Sequence, residues 1–369
     1  MHPVTLDPDA ARVGAETFTT PQPAPEFIHE GFIPNDVGGI IGAGGVSKTT
    51  LALNIACGTI LGGSLFGRRV LRPGGVLFVT AEDGLARMRY RLHGIGRDGY
   101  LTPDECEQIG AGLFIEDLSD RDPQLVKLDD RGNLEETPLV DALIAAYGPL
   151  GLSLVIMDPF VSFGPGERLV NDGEQSVIRA ARRIRKGLSC PVLFLVHTGK
   201  ANAREQRVDQ YAFRGGSALA DGLRFVYILD KADGVTLPVG IDARDAADGK
   251  VFRLTQAKIT DAAPWAEPLW LIRTGFRFID QPITRQSDDE RQEAQVAAVV
   301  EFLRQEAKGN VRHSLTSLEA ARDRIPGKLS RAGLRDTVHR ATQTHRIVER
   351  DLPEGERVGA RKTYLEPGA

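Results

Sequence analysis

Eight residues constrain this chain more than any others: Gly42-Ala43-Gly44-Gly45-Val46-Ser47-Lys48-Thr49, directly after the apolar stretch Gly38-Gly39-Ile40-Ile41. The pattern of a phosphate-binding loop is Gly-x4-Gly-Lys-[Ser/Thr], set between a strand and a helix. Gly42, Lys48 and Thr49 fit it. Ser47 stands where the second fixed glycine belongs. Small residues in such a loop let backbone N–H groups face phosphate oxygens, and the following helix adds its positive end. Gly42, Gly44, Gly45, Val46, Ser47, Lys48, Thr49 and Thr50 are therefore the expected contacts of a nucleoside triphosphate. Lys48 would neutralise the β- and γ-phosphates, and Thr49 would place its hydroxyl on Mg2+. Ser47 keeps its N–H and adds only a hydroxymethyl group, which is harmless unless the position needs a positive φ or tight packing. The competing reading is a plain glycine-rich turn.

The chain has 369 residues, which suggests two or three domains. A net charge of −4 gives no global attraction to nucleic acid or anionic membrane, so any such attraction must be local. Cys57, Cys106 and Cys190 are scattered without metal-ligand spacing, which favours a reducing compartment. No apolar run approaches the ~20 residues of a membrane span. No basic-then-apolar segment opens the chain, so the cytoplasm is expected.

Residues 1–26 are rich in proline and read as a loose arm. A first domain over 27–280 alternates buried strands with helices. Val76–Val79, Leu152–Met157 and Pro191–Val196 are near-continuous apolar runs, as strands covered on both faces must be. This predicts an α/β fold with a parallel sheet flanked by helices. Residues 281–290 are polar and read as a linker. Over 291–369 the pattern becomes three helices and two short strands. The second helix is expected to open on Thr316-Ser317-Leu318-Glu319, which has capping-box spacing.

Three strand ends carry further chemistry. Asp158 closes an apolar strand, where a carboxylate suits a second magnesium contact. Glu82 follows another, and could polarise an attacking water. It could equally complement a helix start, with Asp83 as the cap. His197 ends a third strand, where a structural role competes with one at the nucleotide.

Taken in order, Gly-Gly-Val-Ser-Lys-Thr, Val-Thr-Ala-Glu-Asp, Ile-Met-Asp-Pro, Val-His-Thr-Gly-Lys and Arg214-Gly215-Gly216-Ser217 resemble the RecA-like ATPases of the plasmid RepA replicative helicase type, the AAA_25 group, related to DnaB helicases. The resemblance covers about Phe27 to Phe276. It implies a RecA-like core using ATP and Mg2+, with Glu82 as catalytic base, Asp158 as magnesium ligand and His197 as γ-phosphate sensor. It also implies a homo-oligomeric ring, most often a hexamer, whose neighbouring copy supplies an arginine finger. Arg224 matches that position best, with Arg214 and Lys258 next. The segments Phe163–Glu174, with Arg168, and Lys200–Arg214, with Arg204 and Arg207, would be flexible loops gripping single-stranded DNA, since such cations track a backbone. Otherwise they are solvated surface charges.

The last segment resembles a small winged-helix α+β domain. From Leu303 onward it holds 14 Lys plus Arg against 9 Asp plus Glu. Arg331, Arg335 and Arg340 on its third helix, and Arg361 and Lys362 in the hairpin, are candidate contacts to duplex DNA. A protein-binding surface is the alternative. The combined expectation is an ATP-driven ring helicase or translocase on single-stranded DNA, replicating a plasmid, phage or similar element. A recombination or repair ATPase without unwinding, and a DNA-bound regulatory switch, are the other classes.

Overall fold

The computed structural model describes residues 7–9, 11–99, 101–166, 170–198, 217–233, 235–238, 240–281, 288–326, 329–353 and 363–368. The chain divides into two compact units, Met1–Ile283 and Thr284–Ala369.

The first unit is built on a nine-stranded sheet. Its strands are β1 (Val37–Gly42), β2 (Val76–Thr80), β3 (Leu113–Asp117), β4 (Leu154–Asp158), β5 (Val192–His197), β6 (Phe225–Lys231), β7 (Val251–Ile259), β8 (Leu269–Thr274) and β9 (Arg277–Asp280). Six run parallel in the order β6-β1-β5-β4-β2-β3. Beyond β6 the sheet continues antiparallel as β7, β8 and β9. The expected mixed α/β architecture, dominated by a parallel sheet, is the one observed.

The apolar runs divide between two cores because successive side chains of a strand point to opposite faces. Leu77, Val79, Val155, Met157 and Phe194 face one side, where Val177, Ala181, Ile184 and Leu188 of helix α5 (Val170–Leu188) cover them. Phe78, Ile156, Leu195 and Tyr227 face the other, against Leu51, Ile55 and Ala56 of helix α1 (Lys48–Leu61). Helix α1 is buried on nearly every side, so it is a central element rather than an amphipathic surface helix. Between β2 and β4 lie α2 (Leu85–Gly99), α3 (Pro103–Gly112) and α4 (Pro138–Tyr147). Thr102 and Glu105 form a reciprocal capping box at the start of α3.

The segment Phe163–Glu174 is not a continuous loop: α5 begins at Val170, and Glu174 is buried, its carboxylate accepting from Leu219 N at 3.0 Å. Its apolar positions from Val177 onward anchor the helix, and the preceding polar turn follows by cooperativity.

The second unit contains α6 (Asp288–Lys308), α7 (Leu315–Ala320) and α8 (Arg331–Gln343), then an antiparallel pair, β10 (Ile347–Asp351) and β11 (Thr363–Pro367). Val299, Leu303, Leu318, Leu334, Val338 and Ile347 form its core. The cap of α7 is Ser314, which accepts from Ser317 N, and not the expected Thr316. Glu319 is no capping residue either. It is 5% exposed, and Arg335 and Arg331 pair with it, the latter at 3.4 Å. Among the described residues, no helix is long and apolar enough to cross a membrane.

Candidate nucleotide site

The parallel register brings the strand ends together. His197 lies opposite Gly42, and Thr80 opposite Asp158. Glu82, Asp158, His197 and the loop before α1 therefore share the carboxyl edge of the sheet, where ligands of open α/β folds bind.

Two glycines give the loop its path. A Cβ on Gly42 would lie 2.7 Å from Leu229 O and 2.8 Å from Val46, so the strand can approach β6 only without one. Gly45 has φ +77°, the left-handed region. Ser47 is left-handed as well, at φ 70° and ψ 28°. That is the condition under which serine is not equivalent to glycine, and it costs about 1–2 kcal/mol. The Ser47 hydroxyl accepts a hydrogen bond from Arg273 Nη1.

Around the loop lies a cavity of about 290 Å³, lined by Gly45, Ser47, Lys48, Thr49, Thr50, Glu82, Asp83, Arg87, Arg91, Asp158 and His197. Lys48 Nζ donates to Gly42 O at 2.7 Å and Ala43 O at 3.0 Å, and lies 3.3 Å from His197 Nδ1. Thr49 Oγ1 donates to Asp158 Oδ2 at 2.6 Å. His197 Nε2 stands 3.9 Å from Glu82. One imidazole thus spans the space between the loop lysine and the exposed carboxylate.

Burial sets the charge states. It lowers the Lys48 ammonium to about 8, against the opposing pull of Asp158 and Glu82. It raises the Asp158 carboxyl to about 6; the Thr49 hydrogen bond opposes this, while the negative charge of Glu82 adds to it. His197 is lowered by burial and then by Lys48, which keeps it neutral at pH 7.

The structure separates the two acids that follow β2. Asp83 does not cap α2. That task falls to Asp117 on β3, whose carboxylate accepts from Leu85 N at 2.6 Å. Asp83 instead binds Arg87 and Arg91. Burial pushes its carboxyl up, but the hydrogen bonds from Arg91 and Arg87 outweigh this and hold it below the usual range. Glu82 remains 63% exposed at the cavity. Sequence reasoning missed Asp83, Arg87 and Arg91 as lining residues. Their spacing on successive helix turns was the available signal. Nothing in the sequence pointed to Arg273.

A hydroxyl and a carboxylate oxygen are hard donors suited to Mg2+. No cluster of three or more His, Cys, Asp or Glu that could hold a metal occurs among the described residues. With Thr49 Oγ1 2.6 Å from Asp158 Oδ2, this pair of oxygen donors fits a magnesium ion whose other ligands would come from a nucleotide's phosphates and water.

Other expected residues do not join this site. Arg224 precedes β6, and Lys258 pairs with Val226 at the same end. Both lie at the amino edge of the parallel strands, opposite the phosphate loop. Lys258 Nζ donates to Asp221 O at 3.2 Å. Arg168, Lys200, Arg204, Arg207, Arg214, Arg361 and Lys362 lie outside the described residues. Arg331 and Arg335 share the carboxylate of Glu319, and Arg340 is exposed in the last turn of α8.

One solved structure shares this fold. A DnaB-like replicative helicase, described with its interactions with primase, matches with a TM-score of 0.51 at 13% identity, over 72% of this chain and 66% of that one. A second solved structure, described as an ATPase domain, matches with a TM-score of 0.47 at 11% identity, over 67% of this chain and 85% of that one. At these identities the likeness is one of architecture. The family model AAA_25, an AAA domain, matches residues 5–203, more than half of the chain, and spans the loop, Glu82, Asp158 and His197. The chain is a member of the AAA_25 family.

Proposed function

We propose that this protein is an ATPase that assembles into a ring, most simply a hexamer, and moves along single-stranded DNA as a replicative helicase or translocase of the RepA type, serving a plasmid, phage or similar element. The carrying observation is the convergence of Lys48, Thr49, Glu82, Asp158 and His197 on one cavity at the carboxyl edge of a RecA-like sheet.

Each residue then has a task. The loop N–H groups and Lys48 bind the phosphates. Lys48 leaves the carbonyls of Gly42 and Ala43 to do so, exchanging neutral acceptors for a polyanion. Thr49 and Asp158 hold Mg2+, which screens phosphate charge when bound. Glu82 orients water and takes its proton, because it is exposed to the cavity and, among the described residues, is paired with no arginine. His197 touches Lys48 on one side and faces Glu82 on the other, which suits a residue reporting the γ-phosphate.

Arg224, or else Lys258 or Arg214, would complete the site of a neighbouring copy. The amino-edge location of Arg224 and Lys258 supports this: neither can reach its own chain's loop, as a finger acting between subunits requires. The basic segments with Arg168, Lys200, Arg204 and Arg207 remain the proposed DNA-gripping loops. For the second unit a winged-helix role is proposed, through Arg331, Arg335, Arg340, Arg361 and Lys362. Its partner is duplex DNA or a protein.

Single-stranded DNA is expected to stimulate ATP hydrolysis about tenfold or more, and Lys48→Ala to remove both basal and stimulated turnover. A steady-state phosphate-release assay checks this. Unchanged hydrolysis by Lys48→Ala overturns the ATPase reading. Hydrolysis without any response to single strands overturns the translocase reading alone.

The charge states predict a pH window. An ionised Asp158 and a charged Lys48 coexist between pH about 6 and about 8. Affinity for Mg-ATP should be greatest there. It should decline below about 6 as Asp158 takes a proton, and above about 8 as Lys48 loses one. Titration calorimetry from pH 5 to 9 reads it; a flat profile contradicts the assignment.

A further inference from the structure

Arg273 sits on β8, in the antiparallel extension, and its guanidinium donates to Ser47 Oγ at the phosphate loop. Its position is not incidental to side-chain freedom. Phe252, Leu254 and Leu271 of the extension belong to the same core as Leu51 and Ile55 of α1, so the strand and the loop helix are held by shared packing. The guanidinium also lies over the Phe252 ring, 5.5 Å from its centroid.

Three arginines surround the loop, and they differ in charge balance. Arg87 and Arg91 are both committed to Asp83. Among the described residues, the guanidinium of Arg273 has Ser47 and the Phe252 face as partners and no carboxylate. Arg273 does not line the cavity itself; it reaches the cavity wall through Ser47, which does.

Ser47 is the one departure from the loop pattern, and it sits in the left-handed region. Glycine adopts that conformation freely, whereas serine does so only when its surroundings hold it. The hydroxymethyl group that creates the difficulty is also the group that Arg273 grips.

We propose that Arg273 is a positioning residue of the nucleoside triphosphate site: by donating to Ser47 it fixes the phosphate loop in the left-handed turn that a glycine would supply unaided, and it brings to the cavity wall a positive charge that has no carboxylate partner among the described residues. The inference rests on the reading of the loop as a nucleotide site. It couples the loop's shape to the antiparallel extension, so Ser47 and Arg273 act as a pair.

The test is the affinity of the full-length chain for ATP with Mg2+, by titration calorimetry, across a double-mutant cycle. Arg273→Ala is expected to weaken binding about tenfold in the wild-type background and less than about twofold in the Ser47→Gly background, an interaction of the size that contacting residues show. Ser47→Ala retains the strained conformation and loses the acceptor, so it should reproduce most of the Arg273→Ala loss. Ser47→Gly should bind at least as well as Ser47→Ala. Equal losses from Arg273→Ala in both backgrounds, with parallel shifts in thermal midpoint, indicate a merely structural arginine and overturn the proposal. Wild-type affinity for Arg273→Ala does the same. If Arg273→Ala does not fold, Arg273→Lys and the two Ser47 variants decide: Ser47→Gly binding more weakly than Ser47→Ala overturns it. Lys48→Ala separates the two levels. If it binds ATP as the wild type does, the nucleotide reading falls and takes this inference with it. If it loses ATP while Arg273→Ala does not, only the inference falls.

Discussion

Glu82→Gln is expected to lower kcat for ATP hydrolysis about a thousandfold, the middle of the range for a positioned general base, while leaving ATP affinity and the thermal midpoint unchanged. The substitution preserves shape and removes only the capacity to take a proton. Glu82 is 63% exposed, with the neutral imidazole of His197 3.9 Å away, so the fold does not depend on it. Asp83, one residue on, should behave in the opposite way. It is buried beneath Arg87 and Arg91, and its loss should destabilise the turn as well as slow the enzyme. Single-turnover hydrolysis beside a binding isotherm distinguishes the two. A Glu82→Gln enzyme within tenfold of wild type would sink the assignment of the base.

Asp158→Asn should give a less intuitive pair of results. Turnover should fall by roughly a hundredfold or more, because the proposed magnesium site would lose its carboxylate. Stability of the nucleotide-free protein should rise. The sign follows from protonation. The folded carboxyl sits at about 6, above its ordinary value of 3.8, so the native chain binds the proton more tightly than the unfolded chain. Stability therefore decreases as pH increases from about 4 to about 6, and the full penalty stands above that window. Two pH units correspond to about 3 kcal/mol. Asparagine can still accept from Thr49 without carrying the charge. At pH 7.5 the thermal midpoint should increase by roughly 5 °C, and the gain should vanish below pH 4. A lower midpoint for Asp158→Asn at pH 7.5 would refute the electrostatic account of this carboxylate.

The site was legible where chemistry sits close to a strand end. Asp158 and His197 terminate apolar runs that announce themselves by composition, and the phosphate loop has a spacing of its own. The separation of Glu82 from Asp83 was not legible. It depends on Asp117, which caps α2 from β3, a strand that composition did not single out because it carries Glu116 and Asp117 and is only partly buried. The entry of α5 at Val170 was missed for a related reason: its first turns are polar, and glycine and proline before them suggested a loop. Ser314 as the cap of α7 was missed because Thr316 and Glu319 offered the same local spacing. Glu319 was claimed instead by arginines 12 and 16 positions further along, Arg331 and Arg335. Arg273 was invisible for the plainest reason. Its partner Ser47 lies 226 positions away, and only the path of the antiparallel extension brings the two together.

The order of strands has a consequence for how the protein is made. β1, which leads into the phosphate loop, is the first strand of the large sheet to leave the ribosome, yet both of its neighbours come late, β5 ending at His197 and β6 at Lys231. Until then its two edges have no partner, and an apolar strand with open edges is a template for pairing with other chains. Loop closure over such separations is slow. The nascent chain must therefore carry this unpaired strand through the synthesis of about 190 further residues, at roughly 5–20 residues per second, before the loop acquires a frame. A chain ending at residue 203, where the family match stops, would lack β6 altogether and leave that strand open for good.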